Sequence, residues 1–321
     1  MTLIGLILIL VAGIALIIFG ADFIVDGASA VARKLGVSEF VIGLTIVGMG
    51  TSAPEMVVSF IGAIQGNADI SVGNILGSNI FNTLLILGVT ALLLPVAITR
   101  ENLRRDIPLG LAITLLLPLL GMSRSLGLGG NDVLSRVDGI IFLIIFLAYM
   151  IICFKTGVSI QQEGSGEQKP MNTWIAALKV IAGLAALIFG GRMMVNSATQ
   201  LAKIAGISDK VIAITILAGG TSLPELATCV AAAAKKKGQL ALGNIIGSNV
   251  FNILLILGGS AVINELSFAD INFVDMGVLV LSALVLWLFA ATGKKRTLSR
   301  FEGSIMTLMW LGYIIYLFVK I

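Results

Sequence analysis

Gly50-Thr51-Ser52-Ala53-Pro54-Glu55 and Gly220-Thr221-Ser222-Leu223-Pro224-Glu225 are one hexapeptide written twice, 170 positions apart, with a single residue changed. Each copy sets a carboxylate and a helix-breaking proline in the middle of an apolar run. In hydrocarbon that combination is costly, so it marks a site and not a scaffold. The match extends well beyond the hexapeptide. Residues 41–90 aligned with 211–260, without gaps, share 23 identities, among them Thr45/Thr215, Gly73/Gly243, Asn82/Asn252 and Gly88/Gly258. Hydrophobicity alone does not align Gly, Pro, Glu, Asn and Ser together, so the chain contains a duplication.

The rest of the 321 residues agree with a bilayer setting: 58% are apolar and 12% charged, where a soluble domain carries about 25% charge. Ten apolar segments are expected, near 3–30, 39–65, 70–94, 106–122, 136–154, 173–200, 210–234, 239–263, 272–291 and 301–319. They are continuous, as spanning helices are, and lack the alternation of barrel strands. Residues 155–172, with Gln161, Gln162, Glu163, Gly164, Ser165, Gly166 and Pro170, form a polar linker. It separates a first unit, 1–154, from a second, 173–321. Five spans is an odd number, so the second unit crosses in the opposite sense. The expected fold is an all-α polytopic membrane protein of ten transmembrane helices. They form two inverted-topology five-helix repeats, with helices 2 and 7 broken.

Basic residues orient the chain. Five lie on the side of the termini and fourteen on the other, including Arg33, Lys34, Arg104, Arg105 and Lys235 to Lys237. The richer side is expected to be cytoplasmic, which places both termini outside. The net charge of +4 is thereby explained without nucleic acid. The apolar N-terminus has no basic leader and reads as a retained first span. Cys153 and Cys229 lie in or near spans, and there is no histidine. A disulfide framework, HExxH zinc chemistry and Ser-His catalysis are excluded. Asp22 and Asp26 map onto Arg192 and Asn196 in the second copy, so they read as interfacial or structural.

Pro54 lacks an N–H and disfavours helical angles at Ala53, so the helix is expected to break around Thr51 to Ala53. Carbonyls near Val47 to Gly50 then lose their partners, and the half-helix C-terminus carries partial negative charge. Thr51 and Ser52 add hydroxyls and Glu55 a full charge. These are hard oxygen ligands suited to Na⁺ or Ca²⁺. Asn74, Ser78 and Asn82 share one helical face beside a smooth stripe of Gly73 and Gly77; Asn244, Ser248 and Asn252 repeat this beside Gly243 and Gly247. The glycines also suit plain packing, and the asparagines plain interhelical bonding. Together, Glu55 and Glu225 neutralise one Ca²⁺. Without a cation the two repel, so competition among Ca²⁺, Na⁺ and H⁺ is built in.

The paired blocks GTSAPE…GNILGSNIFN and GTSLPE…GNIIGSNVFN resemble the α-repeats of the sodium/calcium exchanger branch of the Ca²⁺:cation antiporter superfamily, over nearly the whole chain. The resemblance implies alternating-access exchange of Ca²⁺ for Na⁺, or for H⁺ in related branches. It implies a core of spans 2, 3, 7 and 8, past which the long tilted spans 1 and 6 slide. It maps acidic ligands onto Glu55 and Glu225 and hydroxyl or backbone ligands onto Thr51, Ser52, Thr221 and Ser222. It maps carbonyl ligands onto Gly48 and Ala218. Ser78 and Ser248 would line flanking Na⁺ sites, and Asn82 and Asn252 complete the central ring. Many members carry aspartate at one of the last two positions, and here both are amides. The expected activity is therefore a Ca²⁺:Na⁺ antiporter of the cell membrane exporting Ca²⁺ from the cytoplasm, with a Ca²⁺/H⁺ antiporter as the alternative. An ion channel and an intramembrane enzyme fit less well: there is no TVGYG-like filter, and the acids are proline-linked and duplicated. No cofactor, nucleic acid or obligate protein partner is implied.

Overall fold

The computed structural model describes residues 2–156, 171–206, 218–269, 271–293 and 296–320. Most of the expected linker 155–172 and the start of the expected seventh segment lie outside the described residues, as does the beginning of the motif 211–260. The chain is an all-helical polytopic membrane fold. Its elements are α1 (Leu3–Leu35), α2 (Glu39–Thr51), α3 (Ala53–Ile64), α4 (Ala68–Leu93), α5 (Ile107–Gly121), α6 (Arg136–Thr156), α7 (Thr173–Ile204), α8 (Ala218–Gly220), α9 (Leu223–Ala234), α10 (Gly238–Ile263), α11 (Phe273–Thr292) and α12 (Arg300–Lys320). Among the described residues, seven helices are long and apolar enough to cross a membrane, and the pair α2–α3, bent by 50°, makes eight. The expected segments 106–122 and 210–234 hold helices too short to count as spans: α5, preceded by a π-helical turn at Asn102–Asp106, and α9.

Two long helices lie along one side. α1 has 33 residues and α7 has 32, so each is about 50 Å long at 1.5 Å per residue and must tilt in a core of roughly 30 Å. A heptad stripe of small residues fastens them together. A Cβ on Gly13 would lie 2.9 Å from the Gly190 carbonyl oxygen, one on Gly20 2.8 Å from that of Gly183, and one on Gly27 2.8 Å from that of Ala176. The two backbones are therefore in direct contact, which only small residues allow.

Burial separates core from lipid-facing helices. The apolar windows of α4 and α10 are 72% and 89% buried, whereas those of α1, α6 and α12 are 22%, 28% and 11% buried. α4 and α10 are thus the inner pair, and α2–α3 and α9 pack on them. Two short antiparallel ribbons tie the halves: β1 (Val96–Ala97) pairs with β4 (Thr297–Leu298), and β2 (Val133–Leu134) with β3 (Leu266–Ser267).

The glycine stripes of the two copies differ. Gly243 and Gly247 let α10 touch the α2 backbone: added Cβ atoms would lie 2.2 Å from the Phe40 oxygen and 2.3 Å from the Leu44 oxygen. Nothing lies within 4 Å of a Cβ on Gly73 or Gly77 among the described residues. The positions that correspond to Phe40 and Leu44, residues 210 and 214, lie outside them. The close approach expected of both stripes is therefore seen for one.

Candidate functional site

The expected break in the second span is a bend centred on Ser52. Its backbone, φ −79° and ψ 8°, leaves the helical range slightly, while Ala53 already opens α3 and Pro54 occupies its first turn. There the missing N–H of proline is no loss, because first-turn N–H groups have no helical partner. The distortion expected at Ala53 thus falls one residue earlier. Ser222 repeats it with φ −89° and ψ 9° ahead of Pro224. Each glutamate then lies in the first turn of a half-helix, where the positive end of the helix dipole favours a carboxylate.

The two motifs meet in the interior. Ser52 Oγ donates to Glu225 Oε1 at 2.9 Å, and Ser222 Oγ donates to Glu55 Oε1 at 3.0 Å. Each carboxylate accepts a second serine hydroxyl from its own half: Ser78 to Glu55 Oε1 at 3.3 Å and Ser248 to Glu225 Oε1 at 3.4 Å. Every contact has its twin 170 positions away. Glu55, Glu225 and the four serines are all buried. Among the described residues, the buried Oε2 atoms of both glutamates have no hydrogen-bond partner.

Asn82 and Asn252 occupy the second positions of π-helical turns, Phe81–Ile86 in α4 and Phe251–Leu257 in α10. Such turns occur often at functional sites. The turn bearing Asn252 packs on α3, which carries Glu55, and the turn bearing Asn82 packs on α9, which carries Glu225. Both asparagines are fully buried, and both Oδ1 atoms lack a partner among the described residues. Two carboxylate oxygens and two amide oxygens are therefore left open in symmetric pairs. An unpaired buried oxygen is costly, and four in one interior suit a cation.

The Gly48 carbonyl departs from expectation. It is not freed by the bend; it accepts Ser52 N at 3.1 Å, and the Thr51 and Ser248 hydroxyl oxygens each lie 3.4 Å from it. Ala218 opens α8, and its side chain lies outside the described residues. The threonines differ between copies. Thr51 Oγ1 donates to Asn244 Oδ1 at 3.1 Å, whereas the buried Thr221 Oγ1 has no such amide partner among the described residues. Asn74 donates to the Glu55 carbonyl at 3.2 Å and to Ser59 Oγ at 3.0 Å, bracing α3 from α4. Asn244 Nδ2 in turn donates to Cys229 Sγ at 3.3 Å.

Two residues near the site escaped the sequence reading. Asn79 Oδ1 accepts Asn252 Nδ2 at 2.8 Å, and Asn249 Oδ1 accepts Asn82 Nδ2 at 3.2 Å. Both belong to the duplicated GSN triplet, so the offset of 170 held the signal. Farther out, Lys235 at the end of α9 pairs with Asp22 at 3.0 Å and Asp26 at 2.8 Å on α1, and Lys179 on α7 pairs with Asp26 at 3.1 Å. The aspartates expected to be structural thus join the long helix pair to the core.

Known proteins agree with this architecture. The chain matches the family described as sodium/calcium exchanger protein over residues 5–155 and 175–319. It is 41% identical over 315 residues to CaxA of Alkalimonas amylolytica, covering 95% of this chain and 96% of that one. It is 33% identical over 345 residues to the sodium/calcium exchanger MaX1 of Methanosarcina acetivorans, covering 97% and 98%. A structure of the sodium-calcium exchanger NCX_Mj, soaked with Na⁺ and Sr²⁺, superposes with a TM-score of 0.85 at 32% identity over 98% of this chain and 99% of that one. On its length, its repeated motif and its fold, the chain belongs to the sodium/calcium exchanger protein family.

Proposed function

We propose that the chain is a secondary antiporter that exports Ca²⁺ from the cytoplasm in exchange for Na⁺ by alternating access, with Glu55 and Glu225 in one cation site. The observation that carries this reading is the crossed serine–glutamate pairing with two carboxylate and two amide oxygens left open. The carboxylates supply two negative charges, enough to compensate one Ca²⁺. Open oxygens of Asn82, Asn252 and Thr221 and the hydroxyls of Thr51, Ser52, Ser78, Ser222 and Ser248 bring the donors toward the roughly six to eight that Ca²⁺ takes. The carbonyls of Gly48 and Ala218 are further ligands; that of Gly48 has to exchange hydrogen bonds to serve. The printed names of MaX1 and NCX_Mj, which give sodium and calcium, support the ion pair.

The site belongs to two inverted halves of five spans, 1–154 and 173–321, ten spans in all, around motifs 41–90 and 211–260. Three offsets of 170 support this: Ser52/Ser222, the π-helical turns starting at Phe81 and Phe251, and ribbon strands β1 and β3. The protein sits in the cell membrane with both termini outside, a reading that the bias of basic residues supports. The α1–α7 pair, fastened by glycine contacts, moves as a unit past the core. Only a charge-compensated site crosses between access states, because bare carboxylates resist dehydration.

The test is ⁴⁵Ca uptake into proteoliposomes under an imposed Na⁺ gradient or an imposed pH gradient. Uptake driven by Na⁺ alone is expected. Uptake driven by the pH gradient alone assigns a Ca²⁺/H⁺ antiporter instead, and uptake under neither sinks the antiport reading.

A further inference from the structure

We infer that Asn79 and Asn249 are positioning residues: they hold the amide nitrogens of Asn252 and Asn82 away from the ion, so that both neutral ligands present oxygen. The inference rests on the cation site proposed above and adds a condition for it. An aspartate is an oxygen ligand whichever way it turns. An asparagine is a ligand on one side and a donor on the other, and a donor repels a cation. A site with Asn at both 82 and 252 therefore works only if both amides are fixed.

The structure contains such fixing. The N and O ends of a buried amide follow from the partners around it. Asn79 Nδ2 donates to the Asn249 backbone oxygen at 3.2 Å, and that oxygen can only accept. Asn79 Oδ1 is thereby turned to Asn252 Nδ2, at 2.8 Å, and Asn252 Oδ1 is left open on the opposite side. In the other half, Asn249 Nδ2 donates to Thr83 Oγ1 at 2.8 Å, which turns Asn249 Oδ1 to Asn82 Nδ2 at 3.2 Å and leaves Asn82 Oδ1 open. The two anchors differ because the repeat differs. Residue 253 is isoleucine where residue 83 is threonine, so Asn79 has no matching hydroxyl and takes the carbonyl. A carbonyl fixes direction absolutely. A hydroxyl can turn and accept or donate, so Asn252 is the more firmly held of the two.

The test measures equilibrium binding of ⁴⁵Ca²⁺ and ²²Na⁺ to the purified full-length protein in detergent. Asn79→Leu removes the acceptor and lets the Asn252 nitrogen face the ion. Loss of an outer partner to a ligand typically costs 10–100-fold in metal affinity, so the Ca²⁺ Kd is expected to rise about tenfold or more. In an Asn252→Asp background the orientation no longer matters. There Asn79→Leu removes an acceptor that faces a carboxylate oxygen, so it is expected to raise Kd by no more than about twofold, the limit for uncoupled sites. Thr83→Val is the second variant, retained should Asn79→Leu fail to fold. It acts on Asn82 through Asn249, raises Kd, and is rescued in the same way by Asn82→Asp. Equal rises in the parent and aspartate backgrounds would mean a packing role and overturn the inference, as would no rise in either single variant. A wild type that binds neither ion overturns the proposed function, and the inference with it; a wild type that binds, with unmoved variants, overturns the inference alone.

Discussion

Replacing Glu55 with Gln removes one of the two charges while leaving most of the local geometry intact. The new Oε1 still accepts from Ser222 and Ser78, now at 3.0 and 3.3 Å from Glu55 Oε1, so the fold is expected to survive. At 4 Å and an effective dielectric of about 20, a unit charge pair is worth about 4 kcal/mol, hence about 8 for Ca²⁺ and about 4 for Na⁺. Taking about half as recovered by the remaining amide oxygen and by water leaves about 4 kcal/mol for Ca²⁺ and about 2 for Na⁺, or roughly 1,000-fold and 30-fold in Kd. The divalent ion therefore loses far more than the monovalent one. Glu225→Gln should behave the same way, because its contacts with Ser52 and Ser248 are the twin set.

The same substitution has an opposite effect without ions. Two fully buried carboxylates face an uncompensated desolvation cost, and neutralising one relieves it. In chelator, Glu55→Gln is therefore expected to unfold at a higher temperature than the wild type. Added Ca²⁺ should raise the wild-type Tm, as a ligand bound only to the folded form does, and leave the variant unmoved. The assays are ⁴⁵Ca exchange in proteoliposomes and thermal unfolding in detergent with and without Ca²⁺. A variant that keeps wild-type Ca²⁺ flux and wild-type Ca²⁺-dependent stabilisation refutes the assignment of Glu55 to the site.

Further expectations concern the scaffold. Gly20→Ala places a Cβ 2.8 Å from the Gly183 oxygen, so α1 and α7 must part, at a cost of about 1–3 kcal/mol readable as a lowered Tm; an unchanged Tm would show that the pair is looser than its geometry. Gly243→Ala, with a Cβ 2.2 Å from the Phe40 oxygen, should cost at least as much and also weaken ion binding, because it shifts α2 against α10. Lys235→Met frees α1 from α9 at a partly exposed cluster. Such pairs are worth up to about 1 kcal/mol, so exchange rates should change by up to about fivefold while the equilibrium Ca²⁺ Kd stays put; a Kd that moves with the rate contradicts a purely conformational role.

How much of this was readable from the chain depends on the kind of signal. Carboxylates and prolines inside apolar runs stand out because hydrocarbon makes them expensive, so Glu55, Glu225 and their duplication were visible at once. The i, i+4 rule grouped Asn74, Ser78 and Asn82, and it passed over Asn79 and Asn249. Those two project from their helices toward the other half, and periodicity within one helix does not report what the other half places there. The freeing of the Gly48 carbonyl was inferred from proline chemistry alone. In the fold, a bend of 50° at Ser52 keeps its N–H on Gly48 and supplies hydroxyls beside it. The ion pairs of Asp22 and Asp26 reach Lys179 and Lys235, more than 150 residues away, and no local pattern announces contacts of that range.

The symmetry of the site is real at the carboxylates and fails one shell farther out. Glu55 and Glu225 have matching serine partners and matching open oxygens. Thr51 donates to Asn244, and Thr221 has no such amide partner among the described residues; Asn249 leans on a hydroxyl and Asn79 on a carbonyl. Under the proposed antiport, net flux follows the ion gradients whatever the symmetry of the site, so the outer differences bear on local packing and not on the direction of exchange. These outer differences set unlike hydrogen bonds around like carboxylates. In the proposed site any ion meets the charges of Glu55 and Glu225 equally, and the outer hydrogen bonds that hold its neutral donors differ between the halves.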